Sequence, residues 1–198
     1  MTGPADVTIL RAADRTAVPW KNGGGVTREI AARPGGAGTE GSAWRVSLAE
    51  VAGDGPFSEF PGVDRTLTLA EGAGMELTVS GVARRVDERY APCDFPGDEP
   101  TGCRLLDGPV VNFNVMYRRG RVAADTAVVR GTLALAPAPE TVLLIVALDG
   151  PARLDHPGGG VELGPYDAAL LEAPVAPCRV RTAGRTAVVA LRTITPRD

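Results

Sequence analysis

Apolar and polar residues alternate in short runs along this chain. In Trp44-Arg45-Val46-Ser47-Leu48 the apolar side chains are separated by Arg45 and Ser47. Thr66-Leu67-Thr68-Leu69 and Met75-Glu76-Leu77-Thr78-Val79 alternate likewise, and from Val111 to Tyr117 the odd positions are apolar while Asn112 and Asn114 share the other face. A period of two is that of a strand, whose successive side chains point to opposite faces. Thr141 to Leu148, Ala168 to Leu171 and Thr186 to Arg192 are continuous apolar runs instead. They predict strands buried on both faces. Gly and Pro punctuate nearly every gap, as in Gly53-Asp54-Gly55-Pro56, Asp107-Gly108-Pro109 and Pro157-Gly158-Gly159-Gly160. Short strands separated by many turns predict a sandwich or barrel. No segment carries a long apolar repeat of 3.6, and the best helical candidate, around Ala12 to Arg15, is short. The expectation is an all-β chain with little helix.

Composition divides the chain. Residues 1–121 hold the only lysine, every Asn, every Phe and both Trp, while the remainder is mostly Ala, Val, Leu, Gly, Pro and Arg. Chemistry is expected in the first part, and a scaffold or an oligomer face in the second. A chain of 198 residues suits one compact domain or two fused small lobes.

The formal net charge of -3 and a pI near 5.3 argue against a nucleic-acid partner, since no Lys/Arg footprint for phosphates exists beyond the short run Tyr117 to Arg121. No apolar run approaches the ~20 residues of a membrane span, and the first residues lack the basic and apolar regions of a signal peptide. Cys93, Cys103 and Cys178 are odd in number without CxxC spacing, which fits reduced thiols in a cytoplasmic protein. His156 is the only histidine and precedes a Pro-Gly turn. A transition-metal site needs several imidazoles or thiolates, and a Ser-His-Asp or Cys-His arrangement needs a placed histidine. No metal, no cofactor and no catalytic triad is expected.

Rarity adds information. Lys21 is the only lysine among 21 basic residues, the Asn are Asn22, Asn112 and Asn114, and there is no Gln. A coding bias explains the general scarcity, and a Lys or Asn that survives it marks a role its substitutes cannot fill. Lys is a compact ammonium where Arg is a planar fork, and Asn offers an uncharged donor and acceptor together. Lys21 fits a ligand pocket, a loop-fixing role or a catalytic base. The segment Val18 to Ala31 contains Lys21, Asn22 and three glycines. Bare Gly N–H groups there can hold a carboxylate, though the same pattern makes a tight hairpin turn. It is neither a Walker loop nor a dinucleotide fingerprint, because Lys21 precedes the glycines and no strand–turn–helix surrounds them. Arg45 and Ser47 share one strand face, as do Asn112 and Asn114. Such pairs mark a solvent face in a sheet or a pocket inside a barrel. Phe57 and Phe60 fit ordinary loop packing or a pocket wall. Arg65 opens the next strand, where a bidentate carboxylate contact is natural.

Three segments together resemble the HutD/Ves family: PWKNGGGVTREIA (19–31), WRVSLAEVAGDGPFSEFPGVDRTLTLAEG (44–72) and FPGDEPTGCRLLDGPVVNFNVMYRR (95–119). They cover about a third of the chain, in family order. The resemblance implies a double cupin (bicupin) of packed antiparallel sheets in a cytoplasmic bacterial protein associated with histidine utilisation. It implies restraint of that pathway by binding an intermediate such as N-formylglutamate, and brings no established catalytic activity. The family pattern has Asp where this chain has Asn112, which removes a negative charge from that strand. The region after 122 carries little of the signature, and the sequence does not choose between the HutD and Ves branches.

The reading is thus a single HutD-like unit over 1–198. An N-terminal cupin lobe of about 7–121 carries the pocket, and a C-terminal lobe of about 122–196 serves mainly as scaffold. The expected ligand-binding residues are Lys21, Asn22, Gly23, Gly24, Thr27, Arg45, Ser47, Arg65, Asn112 and Asn114, around a small anionic metabolite. A homodimer is compatible with the sequence. Two other classes stay open: a metal-independent isomerase or epimerase on a sugar-like or acidic substrate, and an interaction module acting through a protein partner.

Overall fold

A computed structural model describes residues 7–36, 41–136, 138–172 and 176–194. The chain divides into two compact units, Arg15–Arg121 and a second made of Met1–Asp14 with Val122–Asp198.

The Arg15–Arg121 unit contains β2 (Ala17–Pro19), β3 (Gly25–Arg33), β4 (Trp44–Val51), β5 (Gly55–Pro56), β6 (Val63–Glu71) and β7 (Met75–Val79). It continues with β8 (Val82–Val86), β9 (Pro92–Pro96), β10 (Thr101–Leu105) and β11 (Val110–Arg118). The other unit contains β1 (Val7–Leu10), β12 (Val122–Leu135), β13 (Thr141–Asp149), β14 (Ala152–His156), β15 (Gly159–Leu163), β16 (Ala168–Leu171) and β17 (Cys178–Thr193). The short helical candidate near Ala12 is a single 3-10 turn, Ala12–Asp14.

In the Arg15–Arg121 unit a six-stranded sheet runs β2-β3-β4-β11-β6-β9 and a four-stranded sheet runs β5-β10-β7-β8, all antiparallel. Register fixes what the inner face of the larger sheet carries. Met116 stands opposite both Arg65 and Arg45, so one cross-strand row reads Arg65, Met116, Arg45. The next row reads Leu67, Asn114, Ser47, Glu29, and the one beyond it Leu69, Asn112, Ala49, Thr27. Residues opposite each other in a ladder share a face, and same-face neighbours along a strand lie about 7 Å apart. Leu67 and Leu69 pack with Met75, Leu77, Phe95 and Cys103 into an apolar cluster that closes one end of this interior. Arg65, Met116 and Arg45 of the first row, Asn114 and Ser47 of the second, and Ala49 and Thr27 of the third are left to line the other.

The second unit is built on β17, a long strand that pairs with β13, β14 and β12. The apolar runs of β13 and β16 and the Thr186–Leu191 stretch of β17 are buried on both faces, as their lack of alternation implies. Leu143, Ile145, Leu154, Leu163, Leu171 and Val180 fill its core.

One boundary differs from the sequence reading, which begins the N-terminal lobe at residue 7. β1 instead pairs with β16, from Val7↔Leu171 to Leu10↔Ala168. Val7 and Ile9 pack on the core of that second unit. Asp167 fixes the segment that follows, accepting hydrogen bonds from the Ala12 N–H at 2.8 Å and from Arg11 Nη1 at 2.6 Å. The first strand therefore belongs to the sheet made by the C-terminal half.

Candidate functional site

The interior left open beside the apolar cluster is a cavity of about 810 Å³ within the Arg15–Arg121 unit. The β2–β3 hairpin forms one wall. The Trp20 indole Nε1 donates to Thr27 Oγ1 at 2.7 Å and its ring meets Phe57 edge-on at 6.1 Å. Gly25 makes this possible. A Cβ there would stand 2.4 Å from the Glu50 carbonyl and 3.1 Å from the Trp20 ring, so only glycine lets the indole lie against the backbone. A second wall is the loop after β5, which brings Phe57, Glu59 and Phe60 to the cavity.

The floor is polar and cationic. Arg65 is 8 % exposed, and burial pushes its guanidinium down to about 10. It stays charged at neutral pH. It has no hydrogen-bond or ion-pair partner among the described residues, and its Nε is sealed from solvent. The two terminal nitrogens are not among the sealed atoms, and the residue lines the cavity. Arg45, by contrast, donates from Nε to Glu29 Oε2 at 2.8 Å. Ser47 and Asn114 are buried beside each other in the second row. Lys21 is exposed at the rim. With Arg45 paired to Glu29, Arg65 and Lys21 face the cavity against one carboxylate of the lining, Glu59.

Of the residues expected from sequence, Lys21, Asn22, Thr27, Arg45, Ser47, Arg65 and Asn114 line this one cavity. Three do not. Asn112 is on the inward face but one row deeper, 1 % exposed, with its Nδ2 directed at the Met75 sulfur at 3.9 Å. The N–H groups of Gly23 and Gly24 are not bare. Gly23 donates to the Trp20 carbonyl and Gly24 to Asn22 Oδ1, each at 3.0 Å. Gly23 and Gly24 sit in a closed turn, with Gly23 at a φ of 72°, and their N–H groups are already engaged. Trp20, Phe57, Phe60 and Met116, not expected as ligand-binding residues from sequence, also line the cavity. Phe57 and Phe60 carried a signal, two aromatics in a turn-rich loop. Met116 shares its row with Arg65 and Arg45, which only the ladder shows.

The lining offers no His or Cys and a single carboxylate, a donor set that does not fit a transition metal. His156 ends β14 in the other unit, with its Nδ1 accepting from Gly158 N–H. No cluster of three or more His, Cys, Asp or Glu able to hold a metal occurs among the described residues. No helix among them is long and apolar enough to cross a membrane.

The family model for HutD matches residues 12–189. The chain belongs to the HutD family. That family is related to histidine utilisation. A Pseudomonas putida relative, an uncharacterized 21.2 kDa protein in the hutC 3' region, is 37% identical over 169 residues, covering 85% of this chain and 88% of its own. Protein Ves of Cronobacter sakazakii is 38% identical over 110 residues, 55% of this chain and 59% of its own. The structure of HutD from Pseudomonas fluorescens SBW25 superposes with a TM-score of 0.84 at 34% identity, covering 95% of this chain and 99% of that one. More distant neighbours share the fold alone. Protein Ylba of Escherichia coli gives a TM-score of 0.73 and an oxalate decarboxylase mutant of Bacillus subtilis 0.63, each at 9% identity. These are cupin-fold proteins, and the chain is an all-β double cupin of antiparallel sheets.

Proposed function

We propose that this HutD-family chain is a regulatory binding protein of histidine utilisation, working in the cytoplasm. It takes a small anionic metabolite such as N-formylglutamate into the Arg65 cavity, without a metal and without turning it over. The observation that carries the reading is Arg65 itself. A buried guanidinium without a carboxylate partner is a costly arrangement, and this one lines an open cavity with its terminal nitrogens unsealed. A ligand carboxylate supplies the missing counter-charge through two parallel N–H···O bonds. Lys21 at the rim and the hydroxyls and amides of Ser47, Thr27 and Asn114 offer the second charge and the polar contacts that a dicarboxylate with an amide requires. The three cysteines are unpaired, which suits a reducing compartment.

The test is a thermal-shift panel of histidine-pathway intermediates on wild type and Lys21→Ala, with turnover measured in parallel. A true ligand at about 100 times its dissociation constant adds about 2.7 kcal/mol of stability. The expected result is a shift with N-formylglutamate, a smaller one in Lys21→Ala, and unchanged ligand recovered afterwards. Absence of any shift overturns the binding reading, and turnover overturns the claim that the ligand is only bound.

A further inference from the structure

The surroundings of Arg65 are aromatic where a carboxylate would be expected. Its guanidinium carbon lies 5.1 Å from the Phe57 ring centroid, 5.9 Å from that of Phe60 and 5.0 Å from that of Phe95. All three distances fall within the roughly 6 Å over which a ring face attracts a cation. The rings have separate origins. Phe57 and Phe60 come from the loop after β5 and line the cavity. Phe95 comes from β9, directly opposite Arg65 in the ladder, and is packed in the apolar cluster outside the lining. Gly97 keeps the space for the arginine stem, since a Cβ there would stand 3.2 Å from both Arg65 Cγ and Cδ.

We infer that Phe57, Phe60 and Phe95 form a three-ring cage that holds the Arg65 guanidinium charged, unpaired and end-on to the cavity. Phe95 is thereby a positioning residue for anion recognition, although it lies outside the ligand's reach. The inference rests on the reading of Arg65 as the anchor of a ligand carboxylate. Ring faces stabilise a desolvated cation without neutralising it, so its whole charge stays available to a ligand. The rings also leave Nε sealed and unpartnered, so the free edge of the fork is the pair of terminal nitrogens. That edge matches a planar oxyanion bound through both oxygens. An ammonium in the same cage has no fork to present, so Arg65→Lys does not replace the arginine.

The experiment uses the full chain labelled with 15N-arginine, as wild type, Phe95→Leu and Phe95→Tyr, with glutarate and formate as probes. Two quantities are read: the dissociation constant of each anion, and the solvent exchange rate of the Arg65 Nε–H, assigned by its loss in Arg65→Met. The expected result is slow exchange in wild type. Phe95→Leu exchanges at least about tenfold faster and binds glutarate about tenfold more weakly, and Phe95→Tyr, which keeps the ring face, restores both. A purely structural Phe95 would move the melting temperature and leave the exchange rate and affinity alone, and that outcome overturns the cage. Should Phe95→Leu fail to fold, Phe57→Leu tests the cage through the exchange rate, because Phe57 lines the cavity and the affinity of its variant also reports ligand contact. Wild-type protein that binds neither anion overturns the ligand reading and the positioning role together. Wild-type binding with unchanged affinity in both leucine variants overturns the cage alone.

Discussion

Arg65 and Phe95 stand directly opposite each other across the β6–β9 ladder, with the guanidinium carbon 5.0 Å from the ring centroid. One of them faces the open cavity and the other belongs to the apolar cluster that closes the interior. The boundary between binding site and core thus runs through a single cross-strand pair. It places a guanidinium with no anionic partner against an apolar cluster.

That placement predicts an opposition between stability and binding. Replacing Arg65 by Met keeps the stem in its slot and removes the buried charge. In the absence of ligand, Arg65→Met is expected to be more stable than wild type by about 1–3 kcal/mol in urea unfolding at pH 7. The same variant is expected to lose the melting-temperature response to carboxylates. An unliganded Arg65→Met less stable than wild type would mean that the three ring faces more than offset the cost of burying the guanidinium.

The rim cation behaves differently. Lys21 is exposed and has no partner among the described residues, so its interaction with a bound anion is screened by water and salt. Lys21→Ala is expected to weaken anion binding by about two- to fivefold at low ionic strength. The difference should fade in ~1 M salt, where the screening length falls to about 3 Å. Unliganded stability should not change. Titrations at the two salt concentrations check this.

Gly25 is expected to be intolerant. Its Cβ position is 2.4 Å from the Glu50 carbonyl, a backbone atom that cannot give way cheaply. Gly25→Ala should cost about 1–3 kcal/mol of stability. It should also displace the Trp20 wall, read as a change in tryptophan fluorescence. A variant with wild-type stability and emission would show that the hairpin adapts.

In the other unit, Asp167 holds the N-terminal segment. Burial alone would raise its carboxyl, but hydrogen bonds from the Ala12 N–H, Arg11 and the Gly164 N–H outweigh this and hold it below the ordinary 3.8. A depressed carboxylate contributes stability that is present above 3.8 and lost as pH falls through its lower folded value. Asp167→Ala is expected to cost about 1–3 kcal/mol at pH 7 and to increase hydrogen exchange in β1. The deficit relative to wild type should shrink below pH 4. A constant deficit down to pH 2 would show that the ionised form is not what fixes β1.

Much of the fold was legible because burial leaves a period. β4, β6, β7 and β11 alternate visibly, and β13, β16 and β17 are apolar runs because both faces are covered. β12 was not legible. Its fourteen residues, from Val122 to Leu135, pair with β17 alone, and an edge strand with little buried surface leaves no apolar pattern to read. β9 was hidden by its terminal prolines, Pro92 and Pro96, which an edge strand tolerates. Within the site, alternation told which face Asn112 and Asn114 share but not how deep each lies, since depth depends on where the opposing sheet closes. The committed N–H groups of Gly23 and Gly24 are equally invisible in sequence. Backbone hydrogen bonds of a turn are set by φ and by the next strand, not by residue type alone.

The most direct measurement is a calorimetric titration of N-formylglutamate into wild type and into Arg65→Met, each shown by circular dichroism to be folded. Saturable binding near one ligand per chain in wild type, with no heat in Arg65→Met, is the predicted result. Equal binding by both proteins would contradict it, because the anion would then be held somewhere other than the caged guanidinium.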